Sequence, residues 1–119
     1  MSKVKDFFDS KSFAVVGATD NVEKYGYKVF KRLEKTGKPC YPVHPKLSQI
    51  DGIKVYASLS DLPVIPEAVN IIVPTSATEK VVEECNKLGI KKVWMQPGAE
   101  SEKAILYCKD NEIQLIYND

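Results

Sequence analysis

Short apolar runs alternate along this chain with segments whose apolar residues recur at helical spacing, and this alternation limits the fold more than any other feature. Phe13-Ala14-Val15-Val16 is continuous and closed by Gly17, which is how a strand buried on both faces reads. Ala68-Val69-Asn70-Ile71-Ile72-Val73, stopped by Pro74, and Lys92-Val93-Trp94-Met95-Gln96, stopped by Pro97-Gly98, repeat the pattern. Cys40-Tyr41-Pro42-Val43-His44 and Ile113-Gln114-Leu115-Ile116-Tyr117 are two shorter runs. Pro42 lacks an N–H, so its strand belongs where one side of the ladder is free.

Between these runs lie helices. Val4, Phe7 and Phe8 make one face of a short leading helix. Val29, Phe30 and Leu33 define a second over 25–35, with Gly37 as its stop. Ser76-Ala77-Thr78-Glu79 reads as a capping box opening a third, which turns Ala77, Val81, Val82, Cys85 and Leu88 inward and ends at Gly89. A fourth over 100–110 turns Ala104, Ile105 and Cys108 inward. The stretch 46–66 is irregular, with a turn at Gly52 and a short extended piece at Lys54-Val55-Tyr56.

Strands separated by helical crossovers pair in parallel, and such crossovers are right-handed. The expected fold is therefore α/β: a Rossmann-like, doubly wound, mostly parallel sheet with helices on both faces. No repeat or linker interrupts the pattern, so residues 1–119 read as one domain. A net charge of +1 gives no broad basic field, which excludes extended nucleic-acid binding. The three cysteines form no CxxC or Cys/His cluster, so neither zinc nor a disulfide framework is expected. Residues 1–12 hold no secretory apolar core, and no run nears the ~20 apolar residues of a membrane span. A cytoplasmic protein that engages no membrane is expected.

The candidate site residues all follow strands, where a doubly wound sheet binds its ligands. Gly17-Ala18-Thr19 leads to a helix start at Lys24-Tyr25-Gly26, whose free N–H groups suit a phosphate. The spacing is not GxGxxG, so the dinucleotide fingerprint is absent. After the second strand comes His44-Pro45-Lys46, where an NAD-binding domain carries an acid for the ribose hydroxyls. A lysine there suits a phosphorylated ribose, which coenzyme A and NADP both have. Val73-Pro74-Thr75 and Gln96-Pro97-Gly98 end two further strands and are expected to converge on the same crevice. No nucleophile–base–orienter set is visible, so no catalytic residue is named.

The segments Phe13-Ala14-Val15-Val16-Gly17-Ala18-Thr19, Tyr41-Pro42-Val43-His44-Pro45-Lys46, Gly52-Ile53-Lys54-Val55-Tyr56-Ala57-Ser58-Leu59 and Val93-Trp94-Met95-Gln96-Pro97-Gly98 together resemble the small stand-alone CoA-binding domain family. That family is similar to the N-terminal CoA-binding domain of the succinyl-CoA synthetase α subunit. The resemblance implies that the Gly17-to-Gly26 stretch holds phosphates and that Lys46 meets the 3′-phosphate. It implies that Val73-Pro74 touches the nucleotide or pantetheine, and that Gln96-Pro97-Gly98 borders the crevice. His44 departs from the asparagine common in the family. In the synthetase the phosphorylated histidine lies in a separate domain, so the resemblance implies binding of CoA or an acyl-CoA without ligation. An NADP-binding oxidoreductase or redox sensor is the alternative.

Overall fold

The computed structural model describes residues 3–117. In chain order its elements are α1 (Lys3–Phe8), β1 (Phe13–Val16), α2 (Tyr25–Glu34), β2 (Cys40–Val43), β3 (Gln49–Ile50) and β4 (Ile53–Lys54). A 3-10 turn (Leu59–Asp61) precedes β5 (Ala68–Ile71), α3 (Thr75–Leu88), β6 (Lys92–Met95), α4 (Glu102–Asp110) and β7 (Gln114–Ile116). Five strands form one parallel sheet in the order β2-β1-β5-β6-β7. The doubly wound α/β arrangement is the one that the alternating pattern predicts.

Alternation along each strand divides the core in two. Ala14 and Val16 of β1 pack with Val82 and Cys85 of α3 and with Ala104 and Cys108 of α4. Phe13 and Val15 point to the other face and meet Phe7 of α1 and Phe30 and Leu33 of α2. Period-two strands thus supply apolar side chains to both layers, and each amphipathic helix covers one.

β2 is an edge strand, as Pro42 requires. Pro39 and Val43 accept from Phe13 and Gly17 on the β1 side, so the proline's missing N–H points away from the ladder. The outer side is not wholly bare. Tyr56 donates its N–H to Pro42 O at 3.0 Å and accepts from His44 N at 2.9 Å. This docking follows from the β3–β4 hairpin, whose turn uses Asp51 (φ 50°) and Gly52 (φ 82°). Asp51 is tied to α2, accepting from Tyr27 Oη at 2.7 Å and pairing with Lys31 Nζ at 3.2 Å.

The capping box over 76–79 does not form. α3 begins two residues earlier, at Thr75, with Pro74 in the N-cap position and no side-chain cap. Pro74 holds φ at −58° and its carbonyl accepts from Ala77 N and Thr78 N, which nucleates the helix without help from Ser76. Glu79 instead accepts a hydrogen bond from Ser101 Oγ at 3.2 Å. Ser101 is a true cap, accepting from Ala104 N at 3.0 Å at the start of α4. Gly89 closes α3 in the left-handed conformation.

Candidate functional site at the reversal of strand order

From β1 the chain runs to β2 on one side and to β5 on the other, so strand order reverses beside β1. At the carboxyl ends of these three strands lies a cavity of about 740 Å³. Its walls include Val16 and Gly17 after β1, Val43, His44 and Pro45 after β2, and Ile72, Val73 and Pro74 after β5. That volume lies within the range of small-molecule and cofactor sites.

Two glycines set its shape. Gly17 has φ +100°, and a Cβ there would fall 2.0 Å from Ile72 O. The turn after β1 is therefore pressed against the backbone that follows β5. This close approach delivers the first turn of α2 to the cavity, where Lys24, Tyr25 and Gly26 join the wall.

The charge distribution favours an anion. α2 and α3 both begin without a side-chain cap and without an acidic residue in the first turn. Both starts reach the cavity wall, through Lys24 to Gly26 and through Pro74 and Ala77. Uncapped N–H groups carry the positive end of the helix dipole. α4, whose residues do not line the cavity, is capped by Ser101 and has Glu102 in its first turn. Lys24 and Lys80 add positive charge to the wall. Glu84 is the acidic lining residue, and its Oε2 is occupied, accepting from Ser60 N at 3.1 Å and Ser60 Oγ at 2.6 Å. His44 Nδ1 accepts from Lys46 N at 3.0 Å, so the neutral ring carries its proton on Nε2.

The family model described as a CoA binding domain matches residues 11–119. The chain belongs to the CoA binding domain family. Over 81 residues it is 40% identical to an ADP-forming acetate–CoA ligase of Methanocaldococcus jannaschii, a match covering 68% of this chain and 12% of that protein. Over 88 residues it is 35% identical to the α subunit of ADP-forming acetate–CoA ligase II of Pyrococcus furiosus, covering 73% of this chain and 19% of that subunit. The CoA binding domain thus spans less than a fifth of the length of either ligase chain. The solved structure of a hypothetical protein from Pyrococcus horikoshii OT3 superposes with a TM-score of 0.92 at 29% identity, covering 99% of this chain and 85% of that one.

Within this CoA binding domain, the cavity gathers Gly17, Thr19, Lys24, Tyr25, Gly26, His44, Pro45, Val73 and Pro74 of the residues singled out by sequence. Others lie elsewhere. Ala18 is fully buried beneath the turn in the α1/α2 core. Lys46 is exposed one residue past the wall, and Thr75 is exposed and donates to Glu100 O at 3.3 Å. Pro97 and Gly98 line a neighbouring depression that shares Ile72, Val73 and Pro74. Gln96 is buried on the opposite face of the sheet, where its Nε2 donates to Asn70 Oδ1 at 3.1 Å. Three turns therefore meet at one cavity and the fourth lies beside it.

Sequence reading missed Ala57, Ser58, Lys80 and Glu84 of the wall. Ala77, Lys80, Val81 and Glu84 recur at helical spacing, but that stripe overlaps the core stripe of α3 and was masked by it. Ala57 and Ser58 reach the cavity through the docking of Tyr56 beside β2, a tertiary contact without a local signature. None of the three cysteines lines the cavity, and all are free thiols. Burial pushes the Cys40 thiol up to about 12 and that of Cys108 to about 11, and raises Cys85 as well. Among the described residues, no cluster of three or more His, Cys, Asp or Glu is placed to hold a metal ion, and no helix is long and apolar enough to cross a membrane.

Proposed function

We propose that this domain holds coenzyme A or a short acyl-CoA in the cavity at the strand-order reversal and performs no chemistry on it. The observation that carries the reading is the pair of uncapped helix starts, α2 and α3, bordering one cavity with Lys24 and Lys80. A diphosphate fits such a field, because N–H groups and ammonium charges are already aimed at it without an acid nearby in either first turn. Gly17, Thr19 and the stretch from Lys24 to Gly26 are assigned to the diphosphate, and Ala18 is left out because it is buried beneath the turn. His44, Pro45 and Lys46 are assigned to the phosphorylated ribose. Val73, Pro74 and Thr75 are assigned to the pantetheine side, which continues past the depression at Pro97 and Gly98. Gln96 is left out, since its amide is engaged on the other face.

The non-catalytic part of the reading rests on the wall itself. Ser58 Oγ donates to Asp61 Oδ2 at 3.0 Å, and no nucleophile–base hydrogen bond joins the described lining side chains. The names of the two ligases belong to proteins far longer than this domain. The family description speaks for CoA and gives the NADP alternative no support. The three free thiols suit the reducing cytosol.

Calorimetric titration with CoA, dephospho-CoA, NADP and NAD tests the reading. Saturable binding of CoA, weaker without the 3′-phosphate, is the expected result. Binding of NADP in preference to CoA would overturn it, and so would the absence of heat from all four ligands.

A further inference from the structure

A second cleft, of about 270 Å³, lies on the opposite face of the sheet between α1 and α2. Its floor is built from side chains that a purely structural surface would not leave this way. Asn70 and Gln96 are 3% and 5% exposed, yet both line the cleft. They share one hydrogen bond, Gln96 Nε2 to Asn70 Oδ1, and this leaves Asn70 Nδ2 and Gln96 Oε1 without a partner among the described residues. Beside them Trp94 Nε1 is buried and also unpartnered. Trp94 Nε1 is the one fully buried side-chain polar atom left unpaired among the described residues, and it marks a place where a partner is missing; Asn70 Nδ2 and Gln96 Oε1 are free to serve the same partner.

The walls and rim say what kind of partner. Val29 and Leu33 of α2 and Phe8 of α1 supply apolar contact. Arg32 is the charged lining residue; its guanidinium lies 5.6 Å from the Phe8 ring centroid and makes no ion pair among the described residues. No carboxylate lines the cleft. The donors thus outnumber the acceptors, one of them is a permanent cation, and the space equals about nine waters.

We propose that this cleft is a binding site for a short-chain monocarboxylate. The carboxylate pairs with Arg32, and the amide floor serves its second oxygen or a polar substituent. The apolar tail lies on Val29, Leu33 and Phe8. The site is separate from the CoA cavity: Gly17, Lys80 and Pro74 line that cavity and not this cleft, and Tyr25 alone lines both.

The protein carries its own reporter, because Trp94 is its sole tryptophan and lines the cleft. Butyrate is titrated while Trp94 fluorescence is followed, with butyramide as the uncharged isostere and sodium chloride as the ionic-strength control. A saturable change with butyrate is expected, weaker by about tenfold or more with butyramide and in Arg32→Gln, the loss of one charge-assisted contact. Arg32 is exposed, so that variant is expected to fold, and far-ultraviolet circular dichroism checks it. In nitrogen-15 spectra the side-chain amides of Asn70 and Gln96 are expected to shift. Equal binding of butyrate and butyramide, unchanged binding in Arg32→Gln, shifts confined to the residues of the CoA cavity, or no saturation at all would each overturn the proposal. None of these results depends on CoA, so the two sites succeed or fail separately.

Discussion

Gly26, the second residue of α2, packs directly on the carbonyl of Gly17: a Cβ at position 26 would stand 2.2 Å from Gly17 O. No real contact is that short, and the obstacle is backbone rather than a flexible side-chain end. Gly17 is wedged in turn against Ile72 O. The two glycines thus stack α2 on the turn after β1 and that turn on the end of β5. Gly26→Ala is expected to lose about 1–3 kcal/mol in urea unfolding, the usual cost of overpacking a tight site. CoA binding should weaken further than stability alone explains, because the first turn of α2 is displaced from the cavity. Unchanged stability would show that the helix start yields freely.

The proposed assignment of Lys46 to the ribose phosphate has its own test. Lys46→Ala is expected to weaken CoA binding on the order of ten- to a hundredfold, the worth of a charge-assisted hydrogen bond. Dephospho-CoA should be nearly indifferent to the change. Calorimetry on both ligands checks this, and equal losses would remove Lys46 from the 3′-phosphate.

The helix starts give a matched pair of tests. Ser101→Ala removes the cap on Ala104 N and is expected to cost about 1 kcal/mol. Ser76→Ala should cost little, since Ser76 is exposed within the first turn of α3 and caps nothing. Denaturation midpoints of the two variants decide it. A larger loss at Ser76 would restore the capping box.

The thiols link stability to alkaline pH. Burial lifts Cys40 to about 12 and Cys108 to about 11, above the ordinary thiol value of the unfolded chain. Between those values the unfolded state releases protons that the folded state keeps. Stability is therefore full below about pH 8.5 and falls as pH rises towards 11 and 12. Cys40→Ala is expected to flatten that decline in unfolding measured from pH 8 to pH 10.5. At pH 7.5 a thiol reagent should label the native protein slowly and the unfolded protein at all three cysteines, because the reactive species is the thiolate.

The sequence by itself determined the layered architecture. Buried runs such as Phe13 to Val16 and helical stripes such as Val29, Phe30 and Leu33 carry their periodicity locally, and periodicity needs no partner to be read. It also placed Pro42 at an edge, because a missing N–H is a local fact with a sheet-wide consequence. The turns after β1, β2 and β5 were legible as one cavity for a related reason: parallel strands all end on the same side.

Only the tertiary structure decided the rest. Strand order put β6 one place further from β1 than β5, so Pro97 and Gly98 border a neighbouring depression instead of the cavity. Side-chain parity sent Gln96 to the opposite face, beside Asn70. Lys80 and Glu84 reached the cavity because α3 runs along its wall beside the turns after β1 and β5, a placement that a stripe of residues cannot state. Tyr56 docking on β2 brought Ala57 and Ser58 to the wall through backbone hydrogen bonds, and backbone groups are the same in every residue but proline. Local pattern fixes which face of an element is buried; which residues meet across elements depends on the crossing of chains far apart in sequence.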